Sequence, residues 1–450
     1  MNLPDYLLMN IYRHRDSTFL IENDRVITYQ QLLESVLIYA KTIRDNTSTE
    51  KKVLLRESSA FSTLVRLLAL LNNNISVALV HRGWQGTTVD ENYWQSIENY
   101  KHQASSLELQ KMLTEEIMNR KECSSTLSFH SSGTTSDNPT EMTVSQDNIF
   151  FSLTSISATL KYNNESRIGV TTPLSFDYSL YQFLMAIASG SSVVYSDFRL
   201  KAHRSFDIFA RYSCNYLALI PGLLKQYLTL HKLKALGQPP CYITLTGEFF
   251  EQQTLQQCHQ LLPETHIITM YGITECKRVS ITPPEICVIE SNCVGLAIPG
   301  TSVLIKDKDE RILRSGTGEC IARGAHVING YASEGPCQFT QHEGQRQLNT
   351  SDIIHVDHDG FISFLRRSNE IIKINGKRID STTVKRFIQQ IYPDINDISC
   401  RENKIIITSR NDLPEKSIKE TVKHYFYEHH AIVLRDIVLR KKENINLKGM

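Results

Sequence analysis

A run of hydroxyl side chains, Ser131-Ser132-Gly133-Thr134-Thr135-Ser136, follows the strand-like segment "TLSFH" at 126–130. A strand ending in such a run can turn backbone N–H groups outward beside hydroxyl donors, and both suit the oxygens of a polyphosphate. The single glycine lets the backbone approach a ligand with no Cβ in the way. A polar surface loop would have the same composition, so the stretch by itself leaves both readings open. It is not a Walker loop, because G-x-x-x-x-G-K-[ST] occurs nowhere in the chain.

The elements around it alternate. "ITYQQLLESVLIYAKTI" (27–43) places apolar residues at helical spacing after a short strand, "KKVLLRE" reads as a strand, and "FSTLVRLLALLNNN" reads as a helix closed by a polar cluster. "RIGVTTPL", "SSVVYSD", "NYLALIP", "CYITLTG" and "HIITMYG" are short β-rich runs ending in turn residues, with helical patterns such as "YQFLMAIASG" between them. Such alternation predicts an α/β fold with largely parallel sheets, whose ligands bind at the carboxyl ends of strands. From about residue 300 the texture becomes hairpin-like ("SVLIKDKDERIL", "IIHVDHDGFISFL"), which predicts a β-rich subdomain appended to a large N-terminal domain of mixed α/β layers. The final eighty residues mix short strands with two helices and predict a small α+β C-terminal domain.

Size and charge narrow the class. A chain of 450 residues exceeds one ordinary core. A formal net charge of +1 supplies no general attraction to nucleic acid or to a membrane surface. The longest apolar stretch, "TLVRLLALL" at 63–71, is far short of a bilayer span and carries Arg66. The N-terminus lacks the ordered regions of a secretory signal, so a soluble, cytoplasmic protein is expected. The ten cysteines show no CxxC pair and no His in zinc-ligand register, as for reduced, structural thiols.

"SSGTTSDNPTEMTVSQDNI" (131–149) resembles the phosphate loop of the AMP-forming adenylating enzymes, a superfamily that includes acyl-CoA synthetases, amino-acid adenylation domains and luciferases. That loop reads [ST]SGTTGxPKGVxxSHxN, and Ser132-Gly133-Thr134-Thr135, Pro139, Ser145 and Asn148 match it. Ser136 stands in place of a glycine, one extra residue follows, and Thr140 replaces the loop lysine. Further segments match in the family's order. "MYGITECKRVS" (270–280) resembles the YGxTE motif, which implies Tyr271 and Gly272 beside the adenine, Thr274 at the α-phosphate and Glu275 on Mg²⁺. "CYITLTGEFF" resembles the strand and turn bordering the adenine, here Thr246-Gly247-Glu248. "LNTSDIIHVDHDGFISFLRRSNEIIKINGKRID" (348–380) resembles the TGD…GRxDxxIKxxGxRI block. It implies Asp352 on the ribose hydroxyls, Arg367 on the ribose and phosphate side, and Asn369 as the hinge residue. Ser351 replaces the motif glycine there.

The resemblance implies a domain of residues 1–366, a mobile small domain of 367–450 and a hinge near 367–370. It also implies that a terminal lysine bridges the acid and the α-phosphate: Lys448 by alignment of Asn446-Leu447-Lys448 with NGK, with Lys442 as the lesser candidate. Gly376 would border an incoming thiol. Phe176 falls at the aromatic gate of the acid pocket, and Asp177 matches the carboxylate that pairs with a substrate ammonium in amino-acid adenylation domains, although "FDY" also occurs in ligases of acyl and aryl acids. The implied activity is ATP- and Mg²⁺-dependent adenylation of a small carboxylic acid, followed by transfer to a thiol of CoA or of a phosphopantetheinyl carrier protein supplied in trans. Transfer to an amine, or a nucleotide-binding protein that has lost catalysis, are the alternatives. No nucleic-acid or membrane partner is expected.

Overall fold

The structure, a computed structural model, describes residues 2–45, 52–80, 104–120, 123–130, 141–197, 200–229, 240–248, 250–331, 339–367, 371–374, 377–401, 404–409, 411, 414–430, 434 and 437–441. The predicted alternation is present. The strands up to residue 297 are β1 (Thr18–Glu22), β2 (Arg25–Thr28), β3 (Lys52–Arg56), β4 (Ser76–Val80), β5 (Thr126–His130), β6 (Glu141–Ser145), β7 (Arg167–Val170), β8 (Ser192–Tyr195), β9 (Tyr216–Leu219), β10 (Tyr242–Leu245), β11 (His266–Tyr271), β12 (Ser280–Ile281) and β13 (Leu296–Ala297). Interleaved with them are α1 (Leu3–Arg13), α2 (Tyr29–Asp45), α3 (Ala60–Asn72), α4 (Ser106–Met118), α5 (Gln146–Leu160), α6 (Asp177–Ser189), α7 (Ala202–Arg211), α8 (Pro221–Thr229) and α9 (Gln252–Leu261).

Among the described residues these strands form a nine-stranded sheet, in the order β13-β12-β11-β10-β9-β7-β8-β1-β2, and a four-stranded sheet, β3-β4-β5-β6. β7, β9, β10 and β11 run parallel. β9 is buried at all four positions and β7 at its last three, as strands covered on both faces must be. The chain leaves β7 for β8 on one side and then crosses to β9 on the other, so strand order reverses at the carboxyl end of β7. Such a reversal is where α/β sheets open a ligand crevice.

Helix α6 starts at that point. It is buried at every position from Tyr178 to Ile187, which fits a helix that is apolar almost all round. Tyr178 donates its hydroxyl to the Thr244 carbonyl at 2.9 Å, tying α6 to β10. α5 begins with a reciprocal cap. The Ser145 hydroxyl accepts from the Asn148 amide at 3.2 Å, and Asn148 Oδ1 accepts from the Ser145 amide at 3.1 Å. The Asn148 side-chain amide then donates to the carbonyls of Ala325 and Val327.

The predicted hairpin layer is also present: β14 (Ser302–Lys306), β15 (Ile312–Leu313), β16 (Gly316–Arg323), β17 (Phe339–His342), β18 (Gln345–Val356) and β19 (Ile362–Arg367) make a second, antiparallel-rich sheet. After it come β20 (Ile371–Ile374), β21 (Lys377–Asp380), α10 (Ser381–Ile391), β22 (Ile395–Arg401), β23 (Lys404–Ser409), α11 (Glu415–His430) and β24 (Ile437–Lys441).

The fold divides into two units, one of residues 1–350 and 355–364, the other of residues 351–354 and 365–450. The second has its own core. Val384 and Ile388 of α10, and Ile418, Val422 and Phe426 of α11, pack with Ile398, Ile405 and Ile407 of its three-stranded sheet. Their spacings of four residues, and of four and eight, place them on one face of each helix. No helix among the described residues is long and apolar enough to cross a membrane.

Candidate active site

Three segments that carry predicted site residues leave the large sheet at the carboxyl ends of parallel strands. Thr171–Phe176 runs from β7 to Asp177, Thr246-Gly247-Glu248 follows β10, and Tyr271 closes β11. Thr246 is buried, and its hydroxyl lies 3.4 Å from the Met270 carbonyl. Gly247 adopts φ +87°, a left-handed conformation that favours glycine. Glu248 is exposed, and its carboxylate accepts from the Gly222 amide at 3.0 Å.

The segment 271–279 is a closed turn between β11 and β12. The Val279 amide donates to the Tyr271 carbonyl at 2.8 Å and the Cys276 amide to the Ile273 carbonyl at 3.0 Å. Gly272 is required by crowding: a Cβ there would lie 1.9 Å from the Lys277 carbonyl oxygen. Lys277 itself has φ +56°, an uncommon conformation for a residue with a side chain. Thr274 and Glu275 are half-buried on the turn. The Tyr331 hydroxyl donates to Glu275 Oε1 at 2.9 Å, and the Ile328 amide donates to the Glu275 carbonyl at 3.0 Å. The Tyr271 ring is buried 5.8 Å from that of Phe364, and its hydroxyl donates to Thr350 Oγ1 at 3.1 Å.

Asp177 and Lys277 meet beside this turn. Lys277 Nζ lies 3.9 Å from Asp177 Oδ2, beyond hydrogen-bond reach, with the lysine side chain 1% exposed and the aspartate 16%. Among the described residues the ammonium finds no hydrogen-bond partner, and it stands 4.2 Å from the centre of the buried Phe129 ring, where the ring face attracts a cation. Burial pushes the Lys277 ammonium down to about 8, and the nearby Asp177 and Glu275 oppose that fall. Both residues line a cavity of about 260 Å³, counting its open mouth, together with Arg278 and the apolar Ile156, Met185 and Met270. Phe176, at the expected gate, is 55% exposed.

In the second unit, Arg367 Nε lies 3.3 Å from Asp352 Oδ1; the carboxylate is 1% exposed and the guanidinium side 55%. Ser351, which replaces the motif glycine, has φ +58°. The position retains the left-handed backbone that a glycine adopts without steric cost. Ser131–Ser136, Thr140, Asn369, Gly376, Lys442 and Lys448 lie outside the described residues. The arms flanking the hydroxyl run are described: β5 and β6 pair antiparallel from Thr126↔Ser145 to His130↔Glu141.

Sequence reasoning passed over two residues. Lys277 sits in plain view in "TECKRVS", but a lysine is ordinarily a surface residue, and nothing local marks it as buried. Tyr331 ends "GAHVINGY", a stretch with no local mark of a site. The local pattern around Asp177 also gave no sign that the fold itself sets a cation, Lys277, opposite it.

A family model described as AMP-binding enzyme matches residues 83–332. A probable CoA ligase, CCL5, of Humulus lupulus is 24% identical over 281 residues, covering 60% of this chain and 50% of that protein. The chain thus spans about half the length of that curated relative. Among solved structures, the O-succinylbenzoate CoA synthetase of Bacillus subtilis in complex with ATP and magnesium ion superposes with a TM-score of 0.72 at 16% identity, covering 96% of this chain and 95% of that one. VinN in complex with L-aspartate gives 0.66 at 20% identity, covering 81% and 98%. These likenesses share one two-unit fold, and with more than half of its residues matched to that family model the chain belongs to the AMP-binding enzymes.

Proposed function

We propose that the protein is an ATP-dependent ligase that adenylates a small carboxylic acid and passes the acyl group to a thiol. The observation that carries this reading is the hydrogen-bonded turn 271–279, which holds Thr274 and Glu275 next to Lys277 and Arg278 on the wall of the cavity that Asp177 lines. The synthetase bound to ATP and magnesium supports the nucleotide, and the curated CoA ligase supports the thiol.

A carboxylate is an anion and a poor electrophile. In the first step its oxygen bonds to the α-phosphorus of ATP, the phosphorus–oxygen bond to pyrophosphate breaks, and pyrophosphate leaves. In the second, a thiolate sulfur bonds to the acyl carbon and AMP departs with the broken carbon–oxygen bond. Both steps bring negative groups together, so positioning and positive charge dominate catalysis. Thr274 donates to the α-phosphate, and the hydroxyls of Ser131–Ser136 hold the departing pyrophosphate. Glu275 fits a divalent cation: Tyr331 occupies Oε1, while carboxylate Oε2 is a hard oxygen donor of the kind Mg²⁺ takes. Mg²⁺ bound there neutralises polyphosphate charge.

Asp352 and Arg367 hold the ribose side. Residues 1–366 and 367–450 act as large and small domains about Asn369. Lys448 neutralises the reacting oxygens in the first step, and Gly376 borders the thiol in the second. The thiol belongs to CoA or to a phosphopantetheinyl carrier protein. A catalytically degenerate nucleotide-binding protein is the second reading, favoured by Thr140 in place of the loop lysine.

Acid-dependent exchange of labelled pyrophosphate into ATP decides between them. Exchange that is lost in Glu275→Ala is expected. ATP binding without exchange for any acid would favour the degenerate reading.

A further inference from the structure

Among the described residues that line the acid pocket, the proposed chemistry makes no use of the buried ammonium of Lys277. It has three donors and no hydrogen bond, in a side chain that is 1% exposed. A charge held in that state is costly unless something completes it. Asp177 lies opposite at 3.9 Å, too far for a hydrogen bond, and Phe129 covers one side with its ring face. The chain makes this arrangement at some expense, for Lys277 takes a left-handed backbone and Gly272 must lack a side chain to allow it. Arg278 stands next to it on the cavity wall, its guanidinium 5.0 Å over the Tyr178 ring and one nitrogen donating to the Lys277 carbonyl.

A neutral or purely apolar acid would leave Lys277 as it is. An amino monocarboxylic acid would answer Asp177 and pull the aspartate's charge away from Lys277, leaving the ammonium worse off. A substrate with both an ammonium and a second acidic group completes both residues at once. Resting on the ligase reading above, we propose that Lys277, with Arg278 beside it, binds a second carboxylate of the substrate, and that the acid adenylated is a small amino dicarboxylic acid whose ammonium pairs with Asp177.

The test titrates the full-length protein calorimetrically, without ATP, with L-aspartate, D-aspartate, L-glutamate, succinate, L-alanine and β-alanine. It repeats the titrations on Lys277→Met, Lys277→Arg and Asp177→Asn, with thermal melting of each variant as the check on folding. An amino diacid is expected to bind tightest. Lys277→Met should weaken it by roughly 10–100-fold, the equivalent of a hydrogen bond to a charged group, and Lys277→Arg should recover part of that loss. Asp177→Asn should narrow the gap between the amino diacid and succinate. Tighter binding of alanine or β-alanine than of any diacid, an unchanged diacid affinity in a folded Lys277→Met, or no binding of any acid would each overturn the proposal. Pyrophosphate exchange with the same acids separates the two claims. Diacid binding that depends on Lys277 without exchange keeps this subsite and sinks the ligase reading; exchange driven best by a monocarboxylic acid does the reverse.

Discussion

The Tyr331 hydroxyl and the Glu275 carboxylate share a hydrogen bond of 2.9 Å across 56 residues of chain. Burial raises the phenol, and Glu275 beside it raises it further, so Tyr331 stays protonated and remains a donor. It fixes one oxygen of Glu275 and leaves the orientation of the other defined. Tyr331→Phe removes that constraint. The expected result is a KM for Mg·ATP raised about 3- to 10-fold, a fraction of what a hydrogen bond to a charged group is worth, because Tyr331 acts on the nucleotide only through Glu275. Steady-state exchange kinetics at varied Mg²⁺ measure it; an unchanged KM would show that Tyr331 only packs.

Gly272 is crowded by backbone, not by a flexible side chain, since its missing Cβ would fall 1.9 Å from the Lys277 carbonyl oxygen. Gly272→Ala must therefore shift the whole 272–279 turn. A destabilisation of about 3 kcal/mol or more is expected, with pyrophosphate exchange reduced by over tenfold in the protein that remains folded. Urea unfolding and exchange together check it.

Glu57, buried after β3, holds the segment that leads to Asp177. It accepts from the Leu174 amide at 2.8 Å and from the Ser175 hydroxyl at 3.1 Å. Glu57→Gln keeps the shape but not the charge of these bonds, which should cost about 1–2 kcal/mol of stability. Because the segment positions the pocket and not the nucleotide, KM for the acid should rise while KM for ATP stays within about twofold. A rise in both would assign Glu57 a general structural role.

His326 makes stability pH-dependent. It is fully buried, stacked on Phe151 at 5.8 Å, and burial lowers its pKa to about 4 from 6.5. Between those values the unfolded chain binds a proton that the folded chain refuses, so stability rises with pH across the window and falls as pH drops from 6.5 towards 4. The full effect is on the order of 3 kcal/mol. His326→Gln should remove most of that slope in urea titrations between pH 4 and 7; an unaltered slope would place the acid sensitivity elsewhere.

Ser351 occupies a left-handed backbone, φ +58°, that costs a side-chain-bearing residue more than a glycine. Ser351→Gly should stabilise the protein by about 0.5–1 kcal/mol, net of the added freedom of the unfolded chain. The midpoint of thermal unfolding measures it, and a lower midpoint would show that the serine side chain compensates.

Most of the elements around the site were legible beforehand. β7, β9, β10 and β11 announce themselves as short apolar runs ending in turn residues, because a strand buried on both faces must be apolar along its length. α10 and α11 carry their buried residues at helical spacing for the same local reason. The hairpin texture after residue 300 reflects turn chemistry, again within a few residues.

The pairings inside the site were not legible. Lys277 and Asp177 are a hundred positions apart, and Glu57 and Leu174 are separated by 117. The strand order β11-β10-β9-β7 brings Lys277 to Asp177, since distant segments emerge at one end of that sheet, whereas Glu57 reaches Leu174 from the end of β3 in the separate four-stranded sheet. The sequence alone therefore determined the residue types, the order of the motifs and the elements that carry them, since those follow from local periodicity and backbone preference. Only the tertiary structure decided that a lysine would be buried without a hydrogen bond opposite an aspartate, because burial and distance are properties of packing between strands that the chain's local patterns do not encode.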